Sequence, residues 1–249
     1  MARKGGRKHL KRPATPPYWP IQRKKWKWTV KPRAGPHSTV RSIPLAMITR
    51  DVLHLARSGR ESSLLISGGK IKVDGRIRTD HKYPVGLMDV VEIPEAKVSL
   101  RVVPTPKRNL GLIEIPREES SFKLCRIDQK RTVAQGHIQL NLHDARNLLV
   151  DVQDPRRPTE DPYSIGDTIQ LSIPDQKMAR HMKLNEGSYV VVTGGHNVDR
   201  HGTISRMEPG SATRRTMVEI TGSEGGSFRT TREYVFVVGD TSPIIRLAG

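Results

Sequence analysis

At 249 residues, with 35% hydrophobic content and a formal net charge of +18, the chain is long enough for two or three small domains rather than one large core. Such a charge destabilises a compact state unless a polyanion neutralises it, which points to nucleic acid; an anionic membrane surface competes, but no apolar segment approaches spanning length and no amphipathic basic helix stands out. The single cysteine, Cys125, excludes an internal disulfide and a cysteine-based zinc cluster and fits a reducing, cytosolic setting, and MARKGGRKHLKR at the N-terminus lacks the apolar core of a signal peptide.

Residues 1–40 contain no acidic residue; the first in the chain is Asp51. This arm interleaves Arg3, Lys4, Arg7, Lys8, Lys11, Arg12, Arg23, Lys24, Lys25, Lys27, Lys31 and Arg33 with prolines and has almost no aliphatic content, so it is not expected to fold on its own. All 3 tryptophans lie here, Trp19, Trp26 and Trp28, with Tyr18 beside them. Aromatic faces among unpaired cations suit a nucleic-acid-binding arm, the cations on phosphates and the rings stacking or wedging. The same rings also suit pinning the arm to a neighbouring domain, because they bury large areas wherever they find a groove.

Residues 41–97 read as the first folded unit. Ser42 caps an expected helix with Pro44 in its first turn, and Leu45, Ile48, Val52 and Leu55 follow at helical spacing up to Gly59. Arg41, Arg50, Arg57 and Arg60 lie off that stripe. A second helix ends in Leu64, Leu65 and Ile66 at Gly68-Gly69, and MDVVEI closes the unit as a strand, with Met47 and Met88 read as core.

Between them lies a hairpin in which Ile71 and Val73 alternate with Lys70 and Lys72. Asp74-Gly75 suggests a two-residue turn, but that would pair Val73 with Arg76 and Lys72 with Ile77, mixing apolar and charged residues on each face. A three-residue loop keeps the faces clean. It sets Val73 opposite Ile77 and Lys72 opposite Arg78, with Arg76 at the tip and a basic stripe fit for phosphates outside.

Residues 98–173 read as a mainly β unit, with the runs VSLRVV, GLIEI, FKLCRI, GHIQLNL, NLLVDV and DTIQLSI separated by Pro-, Gly- and Asp-rich turns, the spacing of a barrel or sandwich. Cys125 reads as a small buried residue. His143-Asp144 has no nucleophile near it in sequence and sits where a hairpin must turn, so no catalytic dyad is assigned. Residues 174–249 form a third unit, in which EGSYVVVTGGHNVDRHGTISRM is strand, glycine loop, strand, and YVFVVG is a last strand closing a small barrel. Gly194-Gly195 is followed by no lysine-serine or lysine-threonine at phosphate-loop spacing, and His196 and His201 read as exposed loop residues rather than metal ligands.

In this order the motifs resemble the ribosomal protein S4e family, the archaeal and eukaryotic small-subunit family. The resemblance rests on HLKRPATPPYWPIQRKKWKW, Gly35–His37, IPLAMITRDVLHLA, KIKVDGRIRTDHKYPVGLMDVVEI, FKLCRI, HIQLNLHDARN and the segment from Gly194 to Ile204, and it covers nearly the whole length, which looks more like the archaeal form. It implies an α+β, mainly β architecture: a basic N-terminal arm, an S4-type (alpha-L) RNA-binding domain over 41–97, the family's central β domain over 98–173, and an SH3-like barrel with a KOW motif over 174–249. Three positions depart from the family pattern: Ala145 and Asp199 stand where glycine is usual, and Ser62 where alanine is. If position 145 needs a positive φ, alanine costs about 1 kcal/mol there; aspartate tolerates that conformation better, and Ser62 is expected to weaken only local helix propensity.

The resemblance implies a non-enzymatic constituent of the small ribosomal subunit in the cytoplasm, bound to 16S-type rRNA and to neighbouring subunit proteins, with no metal, cofactor, membrane or homo-oligomer. The residues expected on RNA are the arm's cations named above from Arg3 to Lys27, the three tryptophans, Arg41, Arg50, Arg57 and Arg60, and Lys70, Lys72, Arg76 and Arg78 of the hairpin. Affinity is expected to come mainly from phosphates and specificity from shape. The arm is expected to order only on RNA. S4-type domains also occur on RNA-modifying and tRNA-charging enzymes and KOW domains on transcription factors; no catalytic domain is visible here, and a transcription factor would not explain the first unit.

Overall fold

The arm folds back on the first unit because two of its aromatics bury. A computed structural model describes residues 9–22, 24, 26–106, 110–152, 162–211, 215–222 and 225–247. In the arm, β1 (Leu10–Lys11) pairs antiparallel with β2 (Trp28–Thr29), setting Lys11 opposite Trp28. Between them Tyr18 and Trp19 enter the same core as Ile43, Leu45, Met47 and Ile66. Trp19 is 2% exposed and its Nε1–H donates to the Ser42 carbonyl at 2.9 Å; the Tyr18 hydroxyl donates to Val40 O at 2.8 Å, and burial pushes it up to about 12. The described part of the arm is therefore packed on the first unit: two rings in a groove offset its lack of aliphatics.

The first helix is shorter than its apolar spacing suggests. Ser42–Pro44 is β3, not a cap; Ser42 is buried and its hydroxyl donates to Ser38 O. Helix α1 covers only Leu45–Met47 and widens into a π-helical turn over Ile48–Val52, after which His54 takes a φ of 53 and breaks the helix. Gly59 begins the second helix, α2 (Gly59–Ser67), instead of ending the first; Ser58 caps it by accepting from Glu61 N at 3.2 Å, and Gly68-Gly69 end it as expected. Ser62 is buried and its hydroxyl lies 2.6 Å from that of Thr49 and donates to Ala46 O, so it joins the two helices rather than only lowering propensity.

The hairpin has the two-residue turn. In β4 (Lys72–Val73) and β5 (Arg76–Ile77), Lys72 stands opposite Ile77 and Val73 opposite Arg76, so the three-residue register is wrong. Asp74 and Gly75 both have positive φ, 50 and 72, the geometry a two-residue hairpin turn requires. The face rule fails because β5 is a two-residue edge strand with nothing covering it: Ile77 is 57% exposed beside an exposed Arg76, while Val73 is fully buried. The turn itself docks on the middle unit, where a Cβ on Gly75 would meet Ile173 at 2.6 Å.

β6 (Pro84–Gly86) pairs with β3, and β7 (Val90–Ile93) follows as expected, with Met47 and Met88 buried. The sheet continues through β8 (Val98–Val103) and β9 (Gly111–Glu114) in the order β5-β4-β7-β8-β9, so it runs across the division drawn at 97/98. In the middle unit, β10 (Phe122–Thr132) pairs through its first half with β13 (Thr168–Ser172) and through its second with β11 (Ile138–Leu142), which pairs with β12 (Asn147–Val150). β14 (Met178–Met182) adds to β13 and belongs here, across the division at 173/174. Cys125 is buried, as its place in the run implied.

The third sheet has the order β18-β17-β16-β15-β19, from β15 (Tyr189–Val192), β16 (His201–Glu208), β17 (Met217–Gly222), β18 (Ser227–Thr231) and β19 (Val235–Gly239). At Gly202 a Cβ would sit 2.0 Å from the Thr221 carbonyl oxygen, so the β16–β17 crossing needs glycine. His196 is exposed, but His201 is half-buried on β16 with its ring 6.0 Å from Tyr189, not on a loop. Met88 and Leu124 pack into this unit's core, which ties all three bodies together.

Ala145 has a φ of 60 and is exposed, so glycine at this position relieves backbone strain and sacrifices no packing. Ala145→Gly is expected to raise the unfolding free energy by about 0.5–1 kcal/mol in urea titrations. An unchanged or lower midpoint would contradict the strain. Asp199, at φ 76, occupies the same region with a residue that accepts it more readily.

Candidate nucleic-acid interface

The β1–β2 ladder and the start of α2 together build an open groove of about 620 Å³. Trp26 and Trp28 line one part of it, 58% and 52% exposed, and Arg50, Asp51, Arg57 and Ser58 line another. The ladder fixes Trp28. Lys11 Nζ lies 5.8 Å and Lys27 Nζ 5.7 Å from its ring centroid, within cation–π reach, and the His9 ring is 5.6 Å away. On α2, the Glu61 carboxylate accepts from Arg57 N at 2.8 Å, and both Arg57 and Arg60 stay exposed.

Not every expected residue is available. Trp19 is sealed in the core and leaves the stacking set. Arg12 is half-buried, donating to Thr15 and to Ile21 O, and so braces the arm. Arg50 is held by both oxygens of Asp51, at 2.9 and 2.7 Å. Lys70 pairs with Glu95 at 3.2 Å, and Arg78 lies over the Tyr83 ring at 4.4 Å. Lys72 is half-buried; Arg76 and Arg41 are exposed, Arg41 on the side facing the junction with the third unit. With the register changed, no Lys72–Arg78 stripe forms. Lys11, Lys24 and Lys27 are exposed, and Arg3, Lys4, Arg7, Lys8, Arg23 and Lys25 lie outside the described residues.

Several cations elsewhere are locally neutralised. Arg215 pairs with Glu233, Arg229 with Glu219 and Glu208, Arg126 with Asp128, and Arg180 with Asp240. By contrast, Lys11, Lys24, Lys27, Arg57, Arg60 and Arg76 have no carboxylate within ion-pair distance among the described residues. These six give the arm, the start of α2 and the hairpin a share of the free positive charge; in the third unit Lys183, Arg200, Arg206 and Arg246 are also exposed with no carboxylate within ion-pair distance among the described residues.

Beneath this face is a buried ionic cluster that the residue pattern did not reveal. Lys123, on β10, is 1% exposed and reaches Asp74 at 2.9 Å, Asp89 at 2.5 Å and Asp144 at 2.9 Å. Arg146 bridges Asp74 at 2.6 Å and Asp144 at 3.2 Å, and His37 Nε2 lies 3.1 Å from Asp89. Asp74 and Asp89 also accept from Val90 N and Gly86 N. Burial disfavours the charge on each acid, yet His37 and Lys123 hold Asp89 well below the usual carboxylate range, and Lys123, His143 and Arg146 hold Asp144 at about 2. Burial likewise opposes the Lys123 charge, and the three carboxylates override it and push that group well above an ordinary lysine. The one hint was a lysine inside FKLCRI, a run otherwise facing a core.

His143 and Asp144 serve this cluster. The His143 Nδ1 accepts from Arg126 N at 3.1 Å and its Nε2–H donates to Leu87 O at 3.2 Å; the Cys125 thiol, driven well above its ordinary pKa by burial first and by Asp144 next, donates to Asp144. Both ring nitrogens are thus occupied, and these three side chains, though within 4.8 Å of one another, form a hydrogen-bonded core and not a cation site.

Profile comparison matches the Ribosomal family S4e over residues 96–178, the RS4NT (NUC023) domain over residues 4–39 and the S4 domain over residues 52–91. Small ribosomal subunit protein eS4 of Staphylothermus marinus is 49% identical over 247 residues, 99% of this chain and 98% of that protein. Its counterpart in Methanocaldococcus jannaschii is 43% identical over 251 residues, 99% and 100% of the two chains. The crystal structure of the 30S ribosomal protein S4e from Thermoplasma acidophilum superposes with a TM-score of 0.68 at 32% identity, covering 81% of this chain and 96% of that one. With matching domains in the matching order and relatives aligned end to end, the chain belongs to the S4e family of ribosomal proteins and is not an enzyme.

Proposed function

We propose that the chain is a structural constituent of the small ribosomal subunit in the cytoplasm and binds small-subunit rRNA through phosphate contacts and shape, beside other subunit proteins. The observation that carries this reading is a face where free charge meets open aromatic rings: the chain is +18, and six exposed cations with no carboxylate partner among the described residues lie on the arm, at the start of α2 and on the hairpin, with Trp26 and Trp28 open on the arm. Six exposed cations on a braced surface suit a phosphate backbone, whose counterions they displace. A-form RNA hides base edges in a narrow major groove, so such a face follows shape more than sequence. In the same reading, residues 41–97 supply the S4-type RNA-binding unit, and the third sheet is an SH3-like barrel whose KOW motif is the β15–β16 segment around Gly194-Gly195. Its five-strand order and the 3₁₀ turn Arg232–Tyr234 before β19 support that description.

The test is binding of full-length protein to small-subunit rRNA across a salt series. Replacing Arg57, Arg60 and Arg76 with glutamine is expected to flatten the log–log salt slope by roughly 0.9 for each phosphate no longer neutralised, about 2 to 3 in all. An unchanged slope would place the RNA on another face. Release of the protein from small subunits by a moderate salt wash would instead mark a transient factor.

A further inference from the structure

We propose that the groove between the arm and α2 takes one unpaired nucleotide of the RNA, its base stacked on Trp28 with Trp26 beside it and its phosphate toward Arg57. This rests on the rRNA reading and narrows it, because phosphates on a duplex need no aromatic floor. The groove's volume of about 620 Å³ falls within the roughly 300–1,000 Å³ usual for small-ligand sites, large enough for a nucleotide and far too small for a duplex. Its two indoles are more than half exposed, in a chain that buries its third tryptophan to 2%.

Trp28 is also pre-organised. It lies in the ladder opposite Lys11, and Arg12 N donates to Lys27 O at 3.1 Å, so the backbone that carries the ring is held in the fold. Lys11 and Lys27, each within 6 Å of the ring, add positive potential where a base would bring its phosphates. Asp51, the carboxylate lining the groove, is neutralised by Arg50, so it does not repel an anion. A base stacks on an indole only if its own face is free, which selects an unpaired nucleotide over a helical one.

The experiment titrates the full chain with a short unpaired oligoadenylate and, separately, with an RNA hairpin of matched phosphate count, following tryptophan emission and bound fraction. Trp19 is sealed, so a change in emission reports Trp26 and Trp28. Oligoadenylate is expected to quench the emission, and Trp28→Ala to weaken its binding about 5- to 150-fold, with the hairpin changed less than about twofold and Trp28→Phe restoring most of the affinity. Trp26→Ala, at a position with no hydrogen-bond or ring partner among the described residues, gives the same discrimination without touching the ladder. Equal weakening for both RNAs, or none for either, overturns the proposal. If small-subunit rRNA still binds with its full salt slope in that outcome, the nucleotide site alone is rejected; if that slope is also gone, the rRNA reading falls with it.

Discussion

Lys123→Met is expected to lower the unfolding free energy of the whole chain by about 3–5 kcal/mol, read as a large drop in the urea midpoint. The ammonium is 1% exposed and meets three aspartates at 2.5 to 2.9 Å, so removing it leaves buried negative charge that methionine cannot solvate. Asp74 and Asp144 keep Arg146, whereas Asp89 keeps only His37 and the Gly86 N–H. Asp89 is therefore the acid most affected, and adding Asp89→Asn to Lys123→Met is expected to recover part of the stability. A double variant no more stable than the single one would show that the damage is a packing defect instead. Four elements meet at this cluster: the β4–β5 turn and the start of β7 from the first unit, and β10 with the β11–β12 turn from the middle unit. Its disruption is therefore expected to loosen the bodies from each other and not only to soften one core.

Much of the β framework was legible because period-2 alternation and turn residues are local. VSLRVV, FKLCRI, GHIQLNL and YVFVVG all form strands, and Met47, Met88 and Cys125 are buried as read. What failed depended on residues distant in sequence. The clean-faced hairpin register requires both strands to have a covered face, but β5 is an open edge and the Asp74-Gly75 turn is held by Lys123, Arg146 and Ile173 from another unit. The first helix starts late because Ser42 and Pro44 pair in a strand with Gly86 and Pro84, and it stops early where His54 takes a positive φ. The unit divisions at 97/98 and 173/174 followed composition, while sheets are joined by backbone pairing that composition does not record.

For the candidate site, the residue types were legible and their availability was not. A basic, tryptophan-rich arm announces a polyanion, yet nothing in YWP distinguishes Trp19, which finishes a core, from Trp26 and Trp28, which remain open. Arg12, Arg50, Lys70 and Arg78 likewise looked equivalent to Arg57, Arg60 and Arg76 until their partners were placed. The hairpin, expected to present a phosphate-binding stripe, is in large part a joint: its turn carries Asp74 into the buried cluster, and Arg76 is the exposed cation it leaves for RNA. The arm and the start of α2 hold more unpaired charge than the hairpin does.

Stability is expected to fall by about 2–3 kcal/mol as pH drops from 6.5 to 4, with His143 as the main cause. Burial pushes this imidazole down to about 4, and Lys123 and His37 add to the effect while Asp144 opposes it. The hydrogen bonds explain why a second proton is unwelcome: Nδ1 already accepts from Arg126 N, so protonating it sets two N–H groups against each other. The ring also meets Phe236 edge-on at 5.5 Å. Since the folded value lies below the unfolded one, near 6.5, the unfolded chain binds more protons between about pH 6.5 and 4. The stabilisation is complete above that window and vanishes on descending through it. A displacement of about 2.5 pH units corresponds to about 3 kcal/mol, trimmed because one edge of the ring opens on the junction cavity. Asp144 acts lower, its contribution being present above about pH 3.8 and disappearing as pH falls toward about 2, so the two windows separate. His143→Gln keeps a donor and an acceptor but no titrating group, and urea unfolding at each pH is expected to show a flattened limb between 6.5 and 4. Parallel limbs for the two proteins would assign that acid sensitivity to another histidine.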